Sequence, residues 1–203
     1  MLPIDFFLFI QIILFLFITP GSPRILIVSY AMTYGMKKTV WTAIGDISAN
    51  IVQMIVVTFL IGSLLISFPQ IMIVIKWLGI MYLCYLAYEL FRAKLINFNS
   101  STQYISKTTL SFFRDGFLVA GLSPKALIFF GAIFPNFINF NGNYISQFII
   151  LSFTYVVLDF TTLIIYGLGA RKISLWLQAN PKIINLISSA ALLTIALITV
   201  FIK

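Results

Sequence analysis

The sequence predicts an all-α, polytopic membrane protein. It should hold about six transmembrane helices, built as two inverted three-helix repeats with a broken first helix in each half. Three observations carry that expectation. Hydrophobic residues make up 61% of the 203 residues and charged residues only 9%, with a mean hydropathy of +1.08. A soluble domain carries about 25% charged residues. Apolar stretches of about 20 residues, the length that crosses the hydrocarbon core, recur along the chain. And Gly21-Ser22-Pro23-Arg24-Ile25-Leu26 nearly repeats as Leu122-Ser123-Pro124-Lys125-Ala126-Leu127, once in each half.

The elements follow in order. The first span runs from about Ile4 to Thr19, meets a break at Pro20 to Pro23, and resumes to about Tyr34. A Ser hydroxyl can accept from a free backbone N–H at a helix start, and Pro suits the first helical position. Ser22-Pro23 therefore reads as a helix beginning inside an apolar segment, and Ser123-Pro124 reads the same way. Gly35 to Lys38 reads as a loop. The second span runs from about Val40 to Ile66, followed by an uncharged turn at Phe68-Pro69-Gln70, and the third from about Met72 to Leu90. Phe91 to Lys107 gathers Asn97, Asn99, Ser100, Ser101, Thr102 and Gln103, the natural linker between halves.

The fourth span begins near Phe112, breaks at Ser123-Pro124-Lys125 and resumes to about Phe134. Pro135 to Asn143 reads as a polar turn. The fifth span runs from about Tyr144 to Leu168. Gly169 to Pro181 reads as a loop with an amphipathic piece around Leu175-Trp176-Leu177, and the sixth span runs from about Ile183 to Ile202. The chain is thus one membrane domain over 1–203. Its first repeat covers 1–95, a cytoplasmic linker 96–110, and the second repeat 111–203.

Charge orients these spans. Lys37, Lys38, Arg92, Lys94, Lys107, Arg114, Arg171, Lys172 and Lys182 follow odd-numbered spans, and the other loops carry no Lys or Arg. Cytoplasmic loops hold the excess of Lys and Arg, so both termini are expected outside, with Lys203 the one dissenting charge. The formal net charge of +8 reads as this topology signal rather than as a nucleic-acid surface, because no basic domain exists. The single Cys84 excludes a disulfide framework. The chain has no His, which removes the commonest proton shuttle and transition-metal ligand. No cofactor and no metal site is expected. No cationic start or cleavage site marks a signal peptide, so the first segment should stay in the mature protein.

The acidic residues can be weighed one by one. Asp5 reads as an interfacial cap, Glu89 as the partner of Arg92 on one helix face, and Asp115 as a cap or local partner of Arg114. Asp46 lies roughly 10 Å inside the cytoplasmic boundary, and Asp159 roughly 15–20 Å inside it. An unpaired carboxylate at such depth costs at least about 2.5–3.5 kcal/mol. Two readings stand for this pair: groups on a solute or ion pathway, or structural partners of Arg24 or Lys125. Arg24 and Lys125 each follow a helix start, which carries free N–H groups and partial positive charge. Two such ends would hold a carboxylate, and Asp46 or Asp159 would meet an ammonium or carry a coupling proton. Paired breaks in two halves are a sequence pointer to a transporter site.

Within that reading Asp46 contacts the arriving solute. Asp159, set among Val156, Val157, Leu158 and Phe160, carries the proton. Small residues at Gly45 and Ala49, and at Ser188 to Ala191, suit close helix packing. Trp41, Trp77 and Trp176 fall near span ends, as interface anchors do. Tyr82, Tyr85 and Tyr88 read as a packed stripe.

These residues resemble a known family. Thr19-Pro20-Gly21-Ser22-Pro23, Tyr34-Gly35-Met36-Lys37-Lys38, Gly45-Asp46 and Ser123-Pro124-Lys125-Ala126 look like the LysE/RhtB family of bacterial amino-acid exporters, over almost the whole chain. The family usually reads Pro-Gly-Pro at the first break, where Ser22 here precedes the proline. At the second it usually reads Asn-Pro-Lys, where Ser123 replaces the Asn. The resemblance implies ion-gradient-driven export of a small amino acid across a bacterial inner membrane by a transporter, not an enzyme. Proton antiport is the expected coupling. The expected partners are a small-molecule solute and the lipid bilayer, with room for a homodimer. Ser22, Pro23, Arg24, Asp46, Ser123, Pro124 and Lys125 are the expected substrate-binding residues, and Asp159 and Asp46 the expected proton-coupling residues. A hard-cation exporter using Asp46 and Asp159 as oxygen ligands, and a non-transporting membrane scaffold, are the alternatives.

Overall fold

A computed structural model describes residues 3–18, 21–61, 69–92, 107–123, 125, 126, 129–140 and 142–201. All regular structure among them is helical: α1 (Phe6–Ile18), α2 (Ser22–Tyr34), α3 (Met36–Val56), α4 (Pro69–Arg92), α5 (Thr109–Gly121), α6 (Tyr144–Leu168), α7 (Ala170–Ala179) and α8 (Pro181–Phe201). Single π-turns lie at Val57–Ile61 and Phe129–Ile133, and a short 3-10 turn at Phe134–Phe137. Met36–Phe59 and Tyr144–Leu168 are each long and apolar enough to cross a membrane. The pair Phe6–Phe17 and Ser22–Tyr34, bent by 54°, adds a third span if it is one broken helix. The expected break in the first span is therefore present.

The second break begins where α5 ends at Gly121, and Ser123 is non-helical. Pro124, Asn97 to Gln103 and Phe68 lie outside the described residues. Thr108 caps α5, its side chain accepting from the Ser111 N–H, and Thr109 and Leu110 are helical, where the polar stretch read to Lys107 ends.

Three expected loops are corrected. Gly35 alone separates α2 from α3. Its φ of 80° ends one helix and lets Met36, Lys37 and Lys38 form the first turn of the next. Residues between Gly169 and Pro181 form α7 instead of a loop, since nothing between those breakers opposes a helix. Arg171, Lys172, Leu175 and Trp176 are exposed on it, and Ser174 is buried. In the expected polar turn after Phe134, the segment Phe134–Phe137 is buried. Its rings pack on Phe9, with centroids 5.9 Å and 5.2 Å away, so aromatic packing draws it inward. The Asn136 amide donates to the Ile133 carbonyl at 3.1 Å, which permits that burial.

Two seams position the interior. A Cβ on Gly45 would lie 2.0 Å from the Phe113 carbonyl oxygen, and one on Gly116 2.0 Å from that of Thr42. α3 and α5 thus touch backbone to backbone, as small residues allow in a membrane. α4 and α8 pair antiparallel: Ser189 donates to the Ala87 carbonyl at 2.8 Å and Lys76 to that of Val200 at 3.1 Å. Tyr85 and Tyr88 are exposed, so the tyrosines are not buried as the expected packed stripe, although the Tyr82 and Tyr85 rings lie 5.8 Å apart. The main core gathers α1, α4, α6, α8 and the second-half turns around Phe9, Phe129, Phe134 and Leu151.

Candidate functional site

The site begins at the first break. α2 starts at Ser22, with Gly21 in the capping position and Pro23 in the first turn, and the Gly21 carbonyl accepts from Ile25 at 3.1 Å. Ser22 makes no capping bond and is exposed. Glycine occupies the cap in place of the expected serine, and Ser22 is not among the residues that line the neighbouring cavity. Pro23, Arg24, Asp46, Ser123 and Lys125 do converge. They line one cavity with Gly21, Asn50 and Tyr155. Its volume of about 20 Å³ is room for roughly one water.

α1 ends beside this cavity, and its last carbonyls need donors. Lys125 Nζ donates to the Leu16 carbonyl at 2.7 Å. The second break thus supplies a donor that closes the helix end at the first. Arg24 turns the other way. Its Nη2 donates to Asp159 Oδ1 at 2.6 Å, with the two side chains 7% and 0% exposed. The guanidinium also lies 4.5 Å from the centroid of the Phe17 ring.

Asp159 is therefore not set in apolar surroundings, as its sequence neighbours suggested. Every fourth residue of α6 shares a face, and that face carries Tyr155 and Asp159 into the interior, both buried. Asp46 is buried as well, drawn in by its neighbour Gly45 at the α3–α5 contact. One side chain joins the two carboxylates. Asn50 Nδ2 donates to Asp46 Oδ2 at 3.0 Å and to Asp159 Oδ2 at 2.9 Å.

Asn50 and Tyr155 were missed in the sequence. A signal existed for each, since Asn50 lies four residues after Asp46 and Tyr155 four before Asp159, the spacing of one helix face. Among the described residues around the cavity, three buried atoms lack a partner: Arg24 Nε, Asp46 Oδ1 and Asn50 Oδ1. That leaves one donor and two acceptors, at a place where unpaired groups are costly.

The remaining acids sit apart. Asp5 precedes α1, and its carbonyl accepts from the Phe9 N–H at 3.0 Å. Arg92 donates to the Tyr88 hydroxyl at 2.7 Å and lies over that ring, in place of the expected Glu89 pair. Asp115 pairs with Lys107 at 2.6 Å, more closely than with Arg114 at 3.9 Å. Tyr30 on α2 donates to Asp115 at 2.9 Å and also meets Lys107. Burial works against the Lys107 charge, but hydrogen bonds to Asp115 and Tyr30 outweigh it and hold its pKa above the ordinary lysine value.

A helical, multi-span membrane protein with charged groups gathered at paired helix breaks is a translocator in class. The chain belongs to the LysE type translocator family, whose model matches residues 14–201. It is a membrane transporter, not an enzyme. It is 26% identical over 174 residues to the homoserine/homoserine lactone efflux protein of Salmonella typhimurium, covering 85% of this chain and 83% of that protein. It is 25% identical over 169 residues to an uncharacterized membrane protein of Vibrio cholerae, covering 83% and 81%. Its identity to an uncharacterized membrane protein of Bacillus subtilis is 29% over 156 residues, covering 71% and 72%. No solved structure matches the chain.

Proposed function

We propose that this protein exports a small zwitterionic amino acid of the homoserine type across a bacterial inner membrane, by exchange with protons. The observation that carries the reading is the set of unpartnered atoms at the cavity. Arg24 Nε suits a carboxylate, and Asp46 Oδ1 with Asn50 Oδ1 suits an ammonium. Pro23, Ser123 and Lys125 frame that site, and Pro124, an expected member, lies outside the described residues. The cavity volume of about 20 Å³ corresponds to a closed state that must open to admit the solute.

Antiport asks that solute and proton exclude one another. Asp46 answers that need, because a protonated carboxyl cannot hold an ammonium through the same oxygen. The expected division gave the proton to Asp159, but that carboxylate already has the Arg24 guanidinium as its partner at 2.6 Å. The proposal therefore places proton and ammonium on Asp46 in turn, with Asp159 holding Arg24 in place. The same guanidinium disfavours the hard-cation alternative, since a cation entering here would be repelled. The positive-inside pattern supports two inverted halves with both termini on the periplasmic side.

Homoserine binding to purified protein tests the reading, by thermal shift across a pH series. Binding should weaken as pH falls, and Asp46→Asn should lose both the binding and its pH dependence. Homoserine binding retained in Asp46→Asn, or unaffected by pH in the parent, would falsify the proposal.

A further inference from the structure

Helical Ser and Thr residues in this protein have a standard way to satisfy their hydroxyls. Ser48, Thr154, Thr161, Thr162 and Thr199 each donate to the carbonyl four residues back, at 2.7 to 2.8 Å. Among the described residues Thr42, Thr58 and Ser152 do not, although their hydroxyls are buried and without a partner. Thr42 lies at the tight α3–α5 contact, which leaves Thr58 and Ser152 to be accounted for. Thr58 is 1% exposed. It sits in the π-turn at Val57–Ile61, a local widening of the helix that often marks functional positions.

The two residues also share a level. α3 and α6 run antiparallel, with Asn50 bonded to Asp159 and the ring of Phe59 5.9 Å from that of Phe148. That register sets Thr58 opposite Ile149 to Leu151, within one helical turn of Ser152. The level is eight residues beyond Asn50 along α3, roughly 12 Å from the cavity. On the positive-inside orientation it lies on the outer side. Gln53 stands between the two levels, its Nε2 bonded to the Gly121 carbonyl at 2.9 Å and its Oε1 unpartnered.

We infer that Thr58 and Ser152 form a second polar station on the export path, outward of the Arg24–Asp46–Asn50 cavity, where the hydroxyls hydrogen-bond the polar solute in passage. The inference rests on the transport reading above. It explains why both hydroxyls forgo the usual backbone acceptor. Groups that must bond a transient partner are left unpaired in the closed state.

Stability and transport should separate at this station. Thr58→Val and Ser152→Ala remove no bond present in the closed state, so their melting temperatures should equal or exceed the parent's. Homoserine efflux from proteoliposomes should fall about tenfold in the double variant, with homoserine binding at the cavity unchanged. Thr58→Ser should restore the efflux that Thr58→Val loses. In a Cys84→Ser background, Thr58→Cys and Ser152→Cys should react with a polar thiol reagent during turnover. Saturating homoserine should slow that reaction if the solute itself visits. Labelling that homoserine does not slow would mean water alone arrives, and would overturn the role in solute passage. A lower melting temperature in Thr58→Val or Ser152→Ala, undiminished efflux, or no labelling at either position would each overturn the station. If the parent protein carries no homoserine, the proposed substrate fails instead, and water access by labelling still decides whether the station exists.

Discussion

The Arg24–Asp159 pair gives the most demanding test of the interior. Its N–O distance is 2.6 Å, and its side chains are 7% and 0% exposed. Removing one partner of such a pair costs about 3–5 kcal/mol, because the other charge is left buried. The two single variants should not be equal. Arg24→Gln leaves Asp46 and Asp159 facing each other across the Asn50 amide, both within 3.0 Å of its nitrogen. Asp159→Asn leaves Arg24 charged, with Asp46 on the same amide to face it. Arg24→Gln should therefore fall at the upper end of the range and Asp159→Asn at the lower. For a chain of this size the upper end corresponds to a melting temperature lower by about 10–20 °C.

The double variant Arg24→Gln/Asp159→Asn replaces the pair with two neutral amides and leaves no unmatched charge between them. It should recover a large part of the loss, giving a coupling of at least about 2 kcal/mol in a double-mutant cycle. The assay is thermal unfolding of detergent-purified protein, read by intrinsic fluorescence from Trp41, Trp77 and Trp176. Additive single losses, or an Arg24→Gln variant as stable as the parent at neutral pH, would refute this account of how charge is balanced in the interior.

Other expectations can be checked beside it. Gly116→Ala places a methyl 2.0 Å from the Thr42 carbonyl oxygen, whereas at Gly121 the nearest atom is 3.7 Å away. The first should lower the melting temperature by an amount worth about 1–3 kcal/mol or more, and Gly121→Ala should be tolerated. Lys125→Met strips the donor from the Leu16 carbonyl at the end of α1. It should destabilise by about 1–3 kcal/mol, and Lys125→Arg should restore much of that. The Lys107 tether to Tyr30 and Asp115 should hold at neutral pH and weaken only above the ordinary lysine value, because a raised pKa gives stability that is lost as pH climbs through it. Melting curves of Lys107→Gln and parent between neutral and strongly alkaline pH should then converge. In a Cys84→Ser background, Asn141→Cys should label from outside intact cells and Asn99→Cys should not; the reverse pattern would overturn the orientation.

The helical class and the position of the first break were legible because lipid and proline act on local sequence. An apolar run of about 20 residues needs no partner to be recognised, and Ser22-Pro23 marks a helix start without knowledge of its neighbours. The identity of the buried charges was legible for the same reason, since Asp46 and Asp159 stand out in apolar sequence. Their partners were not. Whether Asp159 would meet Arg24 or Lys125 depends on how α2, α6 and the second break are turned toward one another, and no local signal encodes that. Gly116 drew no notice because its reason for being glycine is the Thr42 carbonyl in the other half. Asn50 is the instructive omission. Only charged residues were weighed at membrane depth, yet this neutral amide is the group that brings the two carboxylates together.

That amide also bears on the division of labour proposed for the two aspartates. Sequence neighbours made Asp159 look like the carboxyl most easily neutralised, because Val156, Val157, Leu158 and Phe160 are apolar. On a helix, however, adjacent residues point away from one another and side chains four apart share a surroundings. The relevant neighbours of Asp159 are Tyr155 on its own face and Arg24 and Asn50 across the interface, all polar. Asp46 has one neutral donor for one oxygen, and its other oxygen is unpartnered at the cavity. Of the two, Asp46 is the carboxylate whose bonding is incomplete in the closed state. On the proposed antiport, the coupling group must be able to exchange its partner without dismantling the fold, and of the two aspartates the incompletely bonded Asp46 fits that condition better.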